Sequence, residues 1–434
     1  MFQGIVYSVS MGIRLICLLA LVAAWAGAQP TYTRDISRIL QAKCQQCHRE
    51  GDIAPFPLDS YEAAKDWAPD IKRVINAGIM PPWKPVAGHG EFRGDRGLTV
   101  DEKIQLNLWL DGPLDRGDDA DMPPAVEAKG DWVNGEPDFT AQMPEAYQPP
   151  TGKDMYRCFV LPTNFDETRW VSATDVLPGD RRSVHHVILY LDTTGEAEKL
   201  DAKDEGPGYT CYGGPGTPLN FANLLTSSIT LGGWAPGTRP APLPDGIAME
   251  LPPKARIVMQ VHYFTRGGAQ PDQTRVGLYF AKEKTRQRLI FIPVVPLDSR
   301  GRLNMEIPAG ADNHTIKSTY LVPPLFDFHI VNIFPHMHLL GTQIKLDLLP
   351  ISGEAKPLIL IDKWDFNWQG PYTYKEPVAA PAFNRIQLSC TYNNSDSNPR
   401  NPNNPLKLVT WGEGTEDEMC LGFIGITFDR ERLQ

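Results

Sequence analysis

The sequence predicts a multidomain chain in which a small all-α module precedes two all-β antiparallel sandwiches. Three observations carry that reading. Residues 29–115 hold the helix signals, among them a capping box at Thr99-Val100-Asp101-Glu102. From residue 153 onward short β-type runs alternate with turn residues over about 280 residues, too long a stretch for one sandwich. Proline (40) and glycine (37) are both abundant among the 434 residues, which favours loop-rich β architecture over helix bundles.

The elements follow in chain order. Residues 1–28 read as an export signal, with Arg14 as the positive region and 15–24 as an apolar run too short to span a bilayer. Ala26-Gly27-Ala28 is the cleavage site, and Met11 is an alternative start. Residues 29–115 carry amphipathic stretches at 35–43 and 70–78, the second ending at Gly78. The capping box opens a helix that runs through Leu110 and stops at Gly112-Pro113. Residues 116–152 are acidic and proline-rich, with Met122-Pro123-Pro124 and Gln148-Pro149-Pro150, and read as a linker. Strand-type runs lie at 185–191, 256–264, 276–280, 288–294, 329–334, 343–349 and 385–392. A boundary near 285 divides them into sandwiches at 153–285 and 286–434, and no internal repeat is visible.

A net charge of −10 argues against nucleic-acid and anionic-membrane partners. No segment after the signal is apolar enough for a transmembrane helix. The expected location is the periplasm or the exterior. Seven cysteines then sort by position. Cys17 leaves with the signal, and Cys44 and Cys47 belong to the motif described next. Cys158, Cys211, Cys390 and Cys420 remain, an even number for an oxidising compartment, with three possible pairings. Cys390–Cys420 is favoured because it would tie down the segment carrying Met419, and Cys158–Cys211 follows by elimination.

Cys44-Gln45-Gln46-Cys47-His48 is a haem-attachment motif. The two thiols would bond the haem vinyl carbons, and His48 would ligate iron. A redox CxxC or a zinc half-site is the competing reading, and the module has no second cysteine pair to complete zinc. Met80, ahead of Pro81-Pro82-Trp83, is the candidate sixth ligand, because a thioether raises the potential and suits electron transfer. His89 and Met122 are weaker candidates. The region resembles a class I c-type cytochrome domain.

Two further ligand sets lie in the β region. The first is Val184-His185-His186 with Gln260-Val261-His262-Tyr263. Adjacent strand residues point to opposite faces, so His185 and His186 reach one metal only at a strand end or bulge. The second is His336-Met337-His338 with Asp417-Glu418-Met419-Cys420. Residues i and i+2 share a face, so His-x-His presents two imidazoles side by side. Imidazole suits copper in both oxidation states, whereas a thioether is soft and favours Cu(I). Three histidines and a His, His, Met set are what two differently tuned coppers require.

With His329 seven residues before His336, and with Cys390-Thr391-Tyr392, these pieces resemble the copper type II, ascorbate-dependent monooxygenases over about residues 155–434. That family includes peptidylglycine α-hydroxylating and dopamine β-monooxygenases. The resemblance implies one copper on His185, His186 and His262 and another on His336, His338 and Met419. It also implies jelly-roll-like sandwiches whose copper sites face each other across a water-filled cleft. Gln260 falls near the first copper. His329 reads as structural or supporting, and His314, in Asp312-Asn313-His314, as an exposed turn residue.

Phe334 stands where the peptide-hydroxylating member has an arginine that grips a substrate carboxylate. A small apolar or aromatic substrate is therefore expected in place of a glycine-extended peptide. The expected function is hydroxylation of a substrate C–H bond with O2. His336, His338 and Met419 would form the reacting centre. Electrons would come through the fused haem c, from an ascorbate-like reductant or a periplasmic redox protein. The alternative is a periplasmic copper-binding or electron-transfer protein without a C–H substrate.

Overall fold

The computed structural model describes residues 29–433, apart from 51–53, 126–131, 133, 153, 213, 218–228, 237, 239–240, 266–267 and 324–326. The expected export signal, with Arg14 and Cys17, lies outside the described residues. Among the described residues no helix is long and apolar enough to cross a membrane. The chain is mostly β, with several antiparallel sheets. It divides into two compact units, one of Met1–Pro81 with Arg96–Val126, the other of Pro82–Asp95 with Glu127–Gln434.

The regular elements described in the first unit are helical. A π-helical turn, Tyr32–Ile36, runs into the helix Ser37–Lys43, and helices follow at Tyr61–Asp66, Ala68–Asn76 and Val100–Asp111. The capping box forms as expected, with Glu102 N–H donating to Thr99 Oγ1 and Thr99 N–H donating to the Glu102 carboxylate. Ile36, Leu40, Leu106 and Trp109 close a small core.

In the second unit each sandwich is built from two sheets. One sheet of the first sandwich orders its strands Phe139–Gln142, Arg275–Phe280, Arg169–Leu177, Ile247–Leu251 and Gln287–Arg288. The other orders Tyr209–Thr210, Asp154–Pro162, Arg256–Phe264, Val184–Asp192 and Thr230–Trp234. The strand Arg256–Phe264 lies between two neighbours and is buried along nearly its whole length, so its residues are mostly apolar on both faces, with Gln260 and His262 as buried polar exceptions. The second sandwich pairs the sheet Ile290–Val294, Leu421–Phe428, Phe328–His336, Tyr372–Ala380 with the sheet His314–Leu321, Arg385–Tyr392, Gly341–Leu349, Lys356–Ile361.

Four differences from the sequence expectations have physical causes. The run at 288–294 is two strands, Gln287–Arg288 in the first sandwich and Ile290–Val294 in the second. Leu289 and Phe291 pack into the first core while Ile290 and Val294 pack into the second. The chain passes from one sandwich to the other between Arg288 and Ile290, a few residues beyond the boundary expected near 285. The linker at 116–152 contains an edge strand, Phe139–Gln142. His314 opens a strand and faces Tyr392 across the ladder, so it is not a turn residue. Residues 82–95, expected in the helical module, lie on the second sandwich. Arg93 N–H donates to Thr373 O (2.7 Å), Val86 N–H to Leu360 O (2.8 Å), and Trp83, Phe92 and Tyr372 form an aromatic cluster. This segment covers an edge strand that would otherwise expose unpaired amides.

Candidate metal centre

His185 and His186 are consecutive on the strand Val184–Asp192, yet both reach one point. The pairing with Arg256–Phe264 shifts register between Val184 and His186, so His185 sits in a bulge. His186 then lies directly opposite His262. The Nδ1 atoms of His185 and His186 are 3.3 Å apart, and those of His186 and His262 are 3.4 Å apart. One ligand atom from each histidine falls within 4.8 Å of the other two. Nε2 of His185 and of His262 is buried without a partner. Burial, followed by the neighbouring imidazoles, holds all three well below the usual histidine pKa, with His185 lowered to about 4. Three neutral imidazoles with converging lone pairs suit a metal cation. Tyr156 stacks on His262 at 4.3 Å and fixes that ring.

His336 ends the strand Phe328–His336, and the alternation continues two residues further. Met337 is fully buried in the core, while the His336 and His338 rings stand 5.0 Å apart on the other side. Their tautomers follow from their partners. His338 Nδ1–H donates to the Asp417 carbonyl at 3.1 Å. Gln369 Nε2 donates to the Phe366 carbonyl, which turns Oε1 toward His336 Nδ1 at 2.5 Å. Both histidines are left with Nε2 as the free lone pair. Burial is the main reason His336 falls to about 3 and His338 to about 4.

Glu418 ties this pair to Met419. Its buried carboxylate accepts from the N–H groups of His338 (2.9 Å), Leu340 (2.6 Å) and Met419 (3.2 Å). Burial pushes its pKa up to about 8 against those hydrogen bonds. Tyr392 O–H donates to Met419 O, and the Cys390–Cys420 disulfide pins the same segment. The second expected bridge, Cys158–Cys211, also forms. Gln260 donates to the carbonyls of Cys211 and Gly214, and so braces the loop at that bridge. His329 pairs with Asp429 at 2.6 Å. Replacing Cys390 and Cys420 together by alanine will cost about 2–4 kcal/mol, measured by urea denaturation as a lowered midpoint, with a steeper slope because the unfolded chain is no longer cross-linked.

The two sets do not face each other across an open cleft. The His186 and His336 rings lie 6.2 Å apart, and Phe366 stacks on His185 (4.5 Å) while meeting His338 edge-on (6.0 Å). The Phe366 ring sits between the two sets. Phe366 and Gln369 carry no sequence signal, since both sit in an irregular loop. Glu418 was visible only as an acid beside Met419.

In the first unit, His48 Nδ1–H donates to Phe56 O at 3.0 Å, leaving Nε2 as its lone pair. Cys44 and Cys47 are free thiols on the turn that leads into His48, and burial pushes Cys44 up to about 12. Met80 is half-buried and Met122 is exposed, while His89 falls in the other unit.

Residues 307–428 match the C-terminal domain of the copper type II ascorbate-dependent monooxygenases. The chain is 23% identical over 288 residues to DBH-like monooxygenase protein 1 of Gallus gallus, an alignment of 61% of this chain and 43% of that protein. The Mus musculus protein of the same name is 24% identical over 282 residues, with the same shares. The chain thus spans less than half the length of these relatives. A solved structure, the peptide-N(4)-(N-acetyl-β-D-glucosaminyl) asparagine amidase, is similar over 68% of this chain and 97% of that one, but a TM-score of 0.28 and 9% identity carry no argument. The sequence matches support a copper monooxygenase, and the clustered imidazoles fit copper.

Proposed function

We propose that the protein is a two-copper monooxygenase that hydroxylates a C–H bond of a small organic substrate. The overall change is R–H + O2 + 2e⁻ + 2H⁺ → R–OH + H2O. The observation that carries this reading is the approach of the His185, His186 and His262 cluster to the His336 and His338 pair, with the His186 and His336 rings 6.2 Å apart. Bound copper would supply one-electron redox chemistry and a place for O2. His185, His186 and His262 would hold one ion through Nδ1. His336 and His338, through Nε2, and Met419 would hold the other. Glu418, Gln369 and the Asp417 carbonyl orient that second set. Phe366 and Tyr156 keep water from the rings.

Cys44, Cys47 and His48 would carry a covalent haem, and Met80 is the candidate sixth ligand. The presence of the haem-attachment motif and the copper-ligand sets in one chain supports electron supply by the fused module. Export to a periplasm is part of the same proposal. A copper carrier without a C–H substrate is the second reading, favoured by the buried, closed packing around the histidines.

The test is metal content. Protein matured in a periplasm and loaded with copper should hold two coppers per haem. His262→Ala should hold one, because the first set then keeps only two imidazoles. Full retention of both coppers in that variant would sink the assignment of the first site.

A further inference from the structure

One flank of the second sandwich is formed by two edge strands. Ile290–Val294 ends one sheet and His314–Leu321 ends the other. The two meet at Val295. Its carbonyl accepts from Ser318 O–H (3.0 Å) and Tyr320 O–H (2.8 Å), and its N–H donates to the Tyr320 oxygen (3.1 Å). Next to that bridge a cavity of about 180 Å³ enters the core of the sandwich. Strand alternation explains its walls. Ile292 and Val294 face it from one edge strand and Tyr320 from the other. Phe328, Ile386, Ile424 and Ile426, each 3% exposed or less, line it from the strands further in.

The lining offers an occupant no hydrogen bond. Among the described residues that line the cavity, Tyr320 alone has a polar side chain, and its hydroxyl is engaged at Val295. Pro293 and Pro323 carry no N–H. Val322 donates to Asn384 O and accepts from Phe383 N–H. The mouth is apolar as well, with Leu321 and Pro323 exposed beside it. A buried water needs two to four polar partners, which this space does not give it. Apolar cavities of roughly 150 Å³ stay dry and admit benzene or xenon. Atoms that line a void lack dispersion partners, and an apolar guest restores them. Phe328 and His336 are opposite ends of one strand, eight residues or roughly 26 Å apart. An occupant of the cavity is therefore out of reach of the histidine sets.

We infer that the second sandwich contains a binding site for one small hydrocarbon of single-ring size, separate from the histidine sets. The ligand enters between Leu321 and Pro323 and packs on the isoleucines and Phe328, with no polar contact. It binds the folded sandwich and not the unfolded chain, so it stabilises the domain that carries His336, His338 and Met419.

The test uses toluene and phenol, which are close in size, titrated by calorimetry into the full chain. Phenol would bury a hydroxyl without a partner, so toluene should bind roughly tenfold tighter or more. Methyl NMR on the reduced, isoleucine-labelled protein locates the ligand. The signals of Ile292, Ile386, Ile424 and Ile426 should shift with toluene. Ile188, two residues from His186, reports the neighbourhood of the histidines. Shifts at the four isoleucines support the inference whether or not Ile188 also moves, and shifts at Ile188 alone overturn it. Toluene should raise the Tm of the wild-type protein. Val294→Phe, checked for folding by circular dichroism, fills the cavity and should lose that rise. If this variant does not fold, the methyl map decides by itself. No binding of toluene, equal affinity for toluene and phenol, or an unchanged Tm response in folded Val294→Phe also overturns the inference.

Discussion

Exchange of Glu418 for alanine will destabilise the second sandwich by about 4 kcal/mol and abolish copper binding at the His336 side. The carboxylate accepts from three backbone N–H groups and is fully buried. Alanine leaves all three donors without an acceptor, at about 1–3 kcal/mol each when no water enters. The site loses its geometry for the same reason. His338 and Met419 N–H share one carboxylate oxygen, so the turn after His336 and the segment before Cys420 are held together there. Glu418→Gln keeps one carbonyl-type oxygen but sets an NH2 against at least one donor. It should lose about half as much stability. Urea denaturation and copper counting on both variants check this. A Glu418→Ala protein with wild-type stability and full copper content would show that the cluster does not hold the site.

Why was so much of this legible before the structure, and some of it not? The strand 256–264 is legible to the residue, because a run rich in β-branched and aromatic residues bounded by turn residues has few alternatives. The strand 185–191 was nearly as clear, but the bulge at His185 was not. A bulge depends on the partner strand, which a local pattern does not contain. The histidine sets were legible because metal chemistry needs particular side chains at particular spacings. The residues that position them were not, because Gln369 and Phe366 meet the histidines through a loop far away in sequence. The same holds for the closed joint. A cleft or a contact between sandwiches is decided by the packing of Phe366, and nothing in the ligand motifs encodes it. The switch of sheets at Leu289 was hidden by the apolar run itself, since both cores want the same residue types.

Met419→Ile should lower turnover roughly 100-fold, equivalent to about 2.7 kcal/mol of transition-state stabilisation, with little change in fold stability. Met419 is 5% exposed and isoleucine nearly conserves its volume, so repacking should cost less than about 1.5 kcal/mol. A domain has a reserve of about 5–15 kcal/mol, so unfolding cannot account for such a loss. What disappears is the thioether, the one soft donor among the six proposed ligands. His185, His186 and His262 stand apart from it in sequence and hydrogen bonding, and that copper should remain with an unchanged EPR signal in the oxidised protein. The variant therefore separates the two readings of the site. An oxygenase loses oxygen consumption while keeping one copper. A copper carrier, with no turnover to lose, shows only a weaker grip on Cu(I) at the second site, read by competition with a Cu(I) chelator. If Met419→Ile leaves both turnover and Cu(I) affinity intact, Met419 is a core residue, and the second site is made by His336 and His338 without it.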